Sequence, residues 1–448
     1  MLRTRFGGDF GKLWAALSIS LIGSGITSLA LPLIAALTLD VSPLKMGVLA
    51  ASGQLPFFLC SLPAGVWVDR VPRRPILIGT DLGSAVLLLS VPLAAPFGGP
   101  GFVQLCVVSF GVGALKVIFD VAHYAYVPSL VGRRHLTEYN SKLQVSHSAS
   151  DAAGPGLGGL LVQLLSAPLA VLADAASFLV SAVLLRTIKR PEPRTPSADG
   201  KLPLRRSIAE GMRTLLDHPL LRPIILGGSV ATLFESGFLA IYVLYAAREL
   251  GLAPGAIGLI FAAGGVGAIP GAVVAARIGR RWGIGPAIVA GWALAALAAL
   301  LVPLAAGPPA LVVLVLALLN AFGHLTDTVA NIHQWSLRQT VTPDHLAGRV
   351  TASHRFIVYG AGAAGAMIGG IAGTAVGLRA ALFACAIGMF VGPLLAVASP
   401  LRRAREAVTD PVPVNGRAGA RFGMRRLSSG VEPAAGKPGT TEDPAQPL

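Results

Sequence analysis

The stretch PAGVWVDRVPRRP, residues 63–75, sets Asp69, Arg70, Arg73 and Arg74 between two apolar runs, near 45–67 and 75–96. Each run has the roughly 20 residues that a helix needs to cross a bilayer core, so the charges mark a short turn between two spans. Working outward gives ten more such runs, near 13–39, 101–127, 141–165, 168–187, 222–246, 254–276, 284–306, 309–337, 349–373 and 379–399. Of the 448 residues 54% are hydrophobic and only 13% charged, with a mean hydropathy of +0.70. A water-soluble fold cannot hide that much apolar surface. We therefore expect an all-α integral membrane protein with twelve transmembrane helices. The opening MLRTRFGGDFGKLW leads into the first of them, since the run behind it is too long for a secretory signal.

The net charge of +15 raises a nucleic-acid reading, which the placement of the basic residues excludes. With twelve spans both termini share a side, and 32 of the 36 Lys and Arg fall there, against Lys45, Arg248 and Arg379 opposite and Lys116 within a span. Positive charge gathers on the cytoplasmic side of membrane proteins, so both termini are expected in the cytoplasm of a multi-pass cell-membrane protein.

A Pro-rich, charged break after the sixth span divides the chain. We expect a six-helix bundle over 1–187, a cytoplasmic linker over 188–221, a second bundle over 222–400 and a disordered tail over 401–448. In the linker, Leu204, Ile208, Met212, Leu215 and Leu216 recur at helical spacing with Arg205, Arg206 and Arg213 on other faces, the pattern of an amphipathic helix on the membrane surface or of a solvated linker helix. The bundles repeat. PAGVWVDRVPRR matches PGAVVAARIGRR (270–281) at a spacing of 207, and GPGLGG (154–159) matches GAMIGG (365–370) at about 210. A parallel repeat of six helices is a signature of alternating-access transporters.

GVWVDRVPRR resembles the loop motif between spans two and three of the major facilitator superfamily, written G-x-L-x-D-R-x-G-R-R. Gly65, Asp69, Arg70, Arg73 and Arg74 match, while Trp67 and Pro72 depart from it. SDAAGPGLGG in span five resembles the antiporter motif of the superfamily's drug/proton exporters, keeping Gly154, Pro155, Gly158 and Gly159 with Ser150 at the first glycine. FDVAHYAYVPSLVGRRHLTEYNSKLQ and DHPLLRPIILGG resemble the branch that holds macrolide efflux proteins and the enterobactin exporter. The resemblance, over roughly residues 10–400, implies the two-bundle facilitator fold and proton-coupled efflux, with Asp69 bracing a gate and span five acting as a kinked gating helix. Tight helix packing is the competing account of those small residues.

Charges within spans are costly and mark candidate sites. Asp81 and Asp120 lie roughly 9 and 13 Å in from the cytoplasmic end at 1.5 Å per residue. Lys116 and Asp120, four residues apart, fit either an internal ion pair or a relay. Asp151 and Glu235 fall near the midplane, where a carboxyl group can carry a proton, contact a cationic substrate, or simply pack. His324, Asp327 and Asn331 of span ten share a face suited to a wet cavity wall, with His333 and Gln334 close by. Trp14, Phe57, Phe58, Phe119, Phe234, Phe238 and Tyr242 could line a pocket or pack in the core.

No metal-ligand spacing stands out, Cys60, Cys106 and Cys385 are isolated in apolar runs, and no Gly-Lys pair sits in a P-loop. We expect no cofactor and no nucleotide, an ion gradient (protons by resemblance) as the energy source, a small-molecule substrate, and a monomer in the bilayer. The leading expectation is a transporter rather than an enzyme, exporting a hydrophobic or amphipathic small molecule such as a drug, macrolide-like metabolite or siderophore. The alternatives are an importer or uniporter of a small metabolite and a non-transporting facilitator-like sensor.

Overall fold

The computed structural model describes residues 8–68, 70–131, 135–189, 204–343 and 346–404. Fourteen α-helices account for most of them: α1 (Gly8–Leu33, extended by a π turn at Ile34–Thr38), α2 (Pro43–Val68), α3 (Arg73–Leu93), α4 (Phe102–Val131), α5 (Leu136–Leu164), α6 (Ala167–Arg186), α7 (Leu204–Asp217), α8 (Leu221–Arg248), α9 (Pro254–Trp282), α10 (Ile284–Leu301), α11 (Pro309–Val341), α12 (Ala347–Val376), α13 (Leu378–Met389) and α14 (Val391–Val397). There is no strand among the described residues. Eleven spans are long and apolar enough to cross a membrane, α13 and α14 counting as one. The twelfth is α5. Glu138, Lys142 and Asp151 lower its hydropathy, yet its 29 residues form one continuous helix packed between α1 and α9. The chain is a multi-span membrane protein.

A single spacing relates the halves. Helices α2, α3 and α6 start at 43, 73 and 167, and α9, α10 and α13 start 211 residues later, at 254, 284 and 378. Packing repeats at the same spacing. A Cβ placed on Gly370 of α12 would lie 2.9 Å from Gly47 Cα of α2, and one on Gly159 of α5 would lie 2.7 Å from Gly258 Cα of α9. These are two backbone-to-backbone seams between the halves, and only glycine permits so close an approach. The expected match of 63–74 to 270–281 at a spacing of 207 is therefore shifted about one turn along α9. The physical reason is Pro72, which disfavours helix in the residue before it and separates α2 from α3, whereas Gly279 lets α9 run on to Trp282, so that Ala276, Arg277, Arg280 and Arg281 are helical.

Both termini of the bundle, the start of α1 and the end of α14, lie at one end, here the terminal end. The largest buried apolar cluster joins both halves at the far end, from Leu33, Ile34 and Met46 to Tyr242, Tyr245 and Ile257. An Arg248–Asp40 ion pair caps the same end, though with Asp40 in solvent it contributes no more than about 1 kcal/mol. Toward the terminal end the core divides. One cluster, including Leu13, Leu77, Tyr126 and Leu185, belongs wholly to the first half. Two others, around Ile288 and Leu337 and around Leu215 and Val350, belong to the second half and α7. Helices α2 and α12 stay in touch there through stacked Phe57–Tyr359 and Phe58–Phe356 rings. The far end is thus sealed by a shared core, while the terminal ends of the halves are stabilised separately.

Helix α7 lies between α6 and α8. Leu215 is buried among Leu221, Ile225, Leu346 and Val350, and Glu210 pairs with Arg349 of α12. At least this part of its apolar face is taken up by protein rather than by lipid.

Candidate functional site

Each half encloses a cavity. The second-half cavity, about 240 Å³, is walled by α8 to α13. Glu235 and Leu239 of α8 and Asn320, His324, Asp327 and Asn331 of α11 face it, as the three-and-four spacing on α11 requires. Phe238, Tyr242, Phe261 and Trp292 supply aromatic walls. Glu235 and Asp327, 92 positions apart in sequence, act on each other electrostatically, and His324 acts on Asp327. Asn331 Nδ2 donates to Asp327 Oδ2 at 2.7 Å, which orients that carboxylate. The result is a greasy pocket with two acids, a combination that suits a cation with apolar bulk. His333 is not part of it: its Nε2 meets the Ala275 carbonyl at 3.1 Å inside the α9–α11 contact.

The first-half cavity is walled by α1, α3, α4, α5 and α6 and holds Asp81, Lys116, Asp120, His123 and His147. Lys116 Nζ lies 3.1 Å from Asp120 Oδ1, so the expected four-residue pair forms, with Asp120 28% exposed. His123 contacts the Tyr139 hydroxyl of α5. A third cavity lies between the halves, lined by residues including Ser28, Gln54, Lys116, Asp174, Ser236 and Leu239. Lys116 also lines the first-half cavity and Leu239 the second, so the three adjoin. Asp151 is exposed on α5, within electrostatic reach of His147 on its own helix and of His324 across the interface. No group of three or more His, Cys, Asp or Glu is placed to hold a metal ion among the described residues.

The glycines of span five have a structural account. On one face of α5, Gly154 and Gly158 meet the α1 backbone at Gly25 and Ile26; on another, Gly159 meets α9. Pro155 contributes its carbonyl, 2.7 Å from where a Cβ on Gly258 would lie, and α5 continues as helix through it. Arg74 of the charged turn donates to the carbonyls of Leu185 and Arg186 at the end of α6, Arg73 is buried, and Arg70 and Gly65 lie at the surface or half-buried. Asp69 lies outside the described residues. Of the aromatic residues singled out, Trp14 donates to Ser146 Oγ of α5 at 3.0 Å, and Phe234 packs on Gly388.

Sequence reasoning missed Asp174, which is fully buried on α6, and His354, which lines the second-half cavity. The signal for Asp174 was present, an acid within LAVLADAASFLV, and intramembrane acids are functional candidates by default.

Twelve spans in two related halves, one end sealed and polar cavities within, define a secondary transporter fold. The chain belongs to the Major Facilitator Superfamily, whose family model matches residues 13–366. It is 28% identical to the multidrug efflux pump Tap of Mycolicibacterium fortuitum, over 92% of this chain and all of that one. It is 25% identical to macrolide efflux protein A of Streptococcus pyogenes, over 49% of this chain and 54% of that one. Among solved structures, a bacterial homologue of the iron transporter ferroportin in its inward-facing state superposes with a TM-score of 0.68 at 17% identity, covering 87% of this chain and 98% of the other. The expected superfamily and its drug-efflux branch are borne out.

Proposed function

We propose that this transporter exports amphipathic small molecules that carry positive charge, driven by an ion gradient. The observation that carries the reading is the second-half cavity, which Glu235 and Asp327 line together with Phe238, Tyr242, Phe261 and Trp292 and in which the two acids act on each other. An isolated buried acid can be a packing device, but two acids in one roomy aromatic pocket repel unless a cation joins them. The efflux pumps among its relatives support the outward direction. The excess of basic residues favours a cytoplasmic terminal end, and on that reading the state with a sealed far end is inward-facing, open to load from inside the cell. Protons are the driving ion that the antiporter-like motif in α5 favours. We further propose that the chain works as a monomer in the cell membrane and needs no cofactor.

The test is accumulation of a panel of amphipathic cations, neutral analogues and macrolides in cells with and without the protein, repeated after collapse of the proton gradient. Expression should lower accumulation of the cations most, and collapse should abolish the difference. Equal accumulation across the panel would overturn export, and export that survives collapse would overturn proton drive.

A further inference from the structure

We propose that a seam within the first half, between α1, α3 and α6, binds a monovalent cation, proton or sodium, through Asp81, Asp174, Thr27 and Ser181. Asp174 and Ser181 are fully buried, Asp81 is 2% exposed and Thr27 6%. Oδ2 of each acid, Thr27 Oγ1 and Ser181 Oγ complete no hydrogen bond among the described residues. Ser181 stands beside Asp81 and Thr27 beside Asp174, and Asp174 acts electrostatically on Asp81. Residues 174, 177 and 181 share a face of α6, and Ser177 Oγ donates to Asp174 Oδ1 at 3.1 Å, fixing that carboxylate so that Oδ2 is left over.

An ionised carboxylate with an unfilled oxygen inside a bilayer protein is strongly disfavoured, and two within reach of one another more so. A cation between them removes the conflict. A proton on one carboxyl supplies the missing donor, while sodium takes oxygen from both acids and both hydroxyls. The ligand set holds oxygen alone, which suits a hard ion and not a soft transition metal. The remaining charged and titratable groups lining the two cavities at the seam are Lys116, Asp120, His123 and Tyr124 of α4 and His147 of α5; α1 presents the hydroxyls of Ser20, Ser24, Thr27 and Ser28. Lys116 acts on Asp81 while paired with Asp120, and the groups acting on Asp174 are the hydroxyls of Thr27 and Ser177 rather than a cation.

The seam has access. Asp81 lines the first-half cavity and Asp174 the central one, and Ser24 and Lys116 line both. The ion can therefore enter without crossing the Glu235–Asp327 pocket. The proposal rests on the gradient-driven export proposed above and places the driving ion in a different half from the substrate.

The full chain, purified in nanodiscs, is first assayed for thermal stability across pH without sodium and across sodium at fixed pH. Wild type should respond to one of the two ions, which identifies it, and Asp81→Asn and Asp174→Asn should flatten that response. In liposomes, each variant should lose gradient-driven transport of ethidium by about tenfold, with ethidium binding and counterflow changed by no more than about twofold. Glu235→Gln should do the reverse, losing ethidium binding and keeping the ion response. If an aspartate variant does not fold, Thr27→Ala and Ser181→Ala carry the test, each weakening the ion response in a folded protein. A wild type insensitive to both ions, or aspartate variants with the wild-type response, would overturn the seam. If wild type moves no ethidium under either gradient, the export reading fails, while the stability response still decides the seam.

Discussion

The seam between α5 and α9 makes a quantitative demand. In Gly258→Ala the new Cβ would lie 2.7 Å from the Pro155 carbonyl, 2.9 Å from Gly159 Cα and 3.1 Å from Gly159 N, where ordinary contact begins at 3.4 Å. All three are backbone atoms, so no side chain can swing aside, and the helices must part by about the difference, 0.7 Å. Overpacking of this kind costs roughly 1–3 kcal/mol. Alanine also favours helix over glycine by about 1 kcal/mol, but α9 is helical whether the far end is closed or open, so that gain cancels. The closed state alone bears the steric cost, and its population relative to the open state should fall by about 5- to 150-fold. The twin substitution Gly47→Ala meets Ala366 and Gly370 in the α2–α12 seam and should act in the same direction. The assay is a distance distribution from spin labels at residues 165 and 253, at the far ends of α5 and α9, in a background with Cys60, Cys106 and Cys385 replaced. Gly79→Ala, which meets nothing within 4 Å, is the control. A Gly258→Ala distribution that matches the control would refute the idea that the glycine seam sets the far-end closure.

Other outcomes follow from individual contacts. Glu235→Gln and Asp327→Asn should each weaken binding of a cationic substrate by about 10- to 100-fold, the scale of a charge-assisted contact, and leave a neutral analogue nearly unchanged; equal losses for both ligands would point to a packing role. Asp69→Asn should abolish export with normal membrane insertion, and wild-type export would reduce the motif to a topology signal. Ser166, at the turn between α5 and α6, has φ +151°, whereas Gly377 takes the corresponding turn in the second half at φ +87°; Ser166→Gly should raise thermal stability by about 1 kcal/mol through relief of backbone strain. His218 Nδ1 accepts from the backbone N–H of Leu220 and Leu221 at the start of α8, and burial lowers its pKa from 6.5. Because the folded state resists protonation, the cap's contribution is fully present above the unfolded value and is lost as pH falls through the lowered folded value. Protection of the 220–221 amides, taken relative to their intrinsic exchange rate at each pH, should therefore fall on acidification through the lowered folded value, and His218→Ala should remove that dependence.

Much of the architecture was legible because apolar length is a strong signal: the span boundaries need only the width of a bilayer. The signal is weakest for α5, where Glu138, Lys142 and Asp151 dilute the apolar run of a helix that still packs between α1 and α9 at full length. It also places the repeat imperfectly. Five matching residues at 63–74 and 270–281 outweighed the helix starts, although a proline that stops one helix has no counterpart in the other. For the site, depth put Asp151 and Glu235 near the midplane, but depth carries no azimuth. Only the packed bundle shows that Glu235 shares a pocket with Asp327 while Asp151 stands on the opposite half. The antiporter-motif glycines looked like a gate, and their contacts show both faces of α5 built for backbone approach.

The 211-residue register shows how two halves with one backbone plan come to differ in chemistry. Carried across it, Ser24 corresponds to Glu235, Lys116 to Asp327, Asp120 to Asn331 and His123 to Gln334. The same positions on α1 and α4, and on α8 and α11, line the cavity of each half. The first half has a lysine–aspartate pair where the second has an aspartate held by an asparagine. The buried oxygens diverge as sharply: Thr27 corresponds to Phe238, Asp81 to Trp292, Asp174 to Cys385 and Ser181 to Gly392. Oxygen ligands in the first half thus give way to aromatic wall and small packing residues in the second. A lone acid on α6 would be hard to distinguish from a tolerated defect. Four oxygens that all vanish together from the corresponding places in the other half behave as one unit, which is what an ion site requires and random surface drift does not. Alternating access then needs only that the two units see the same closure. They do, because the α2–α12 and α5–α9 glycine seams tie the halves together at matching positions, so a change in charge in the first half and a change in occupancy in the second act on one shared equilibrium.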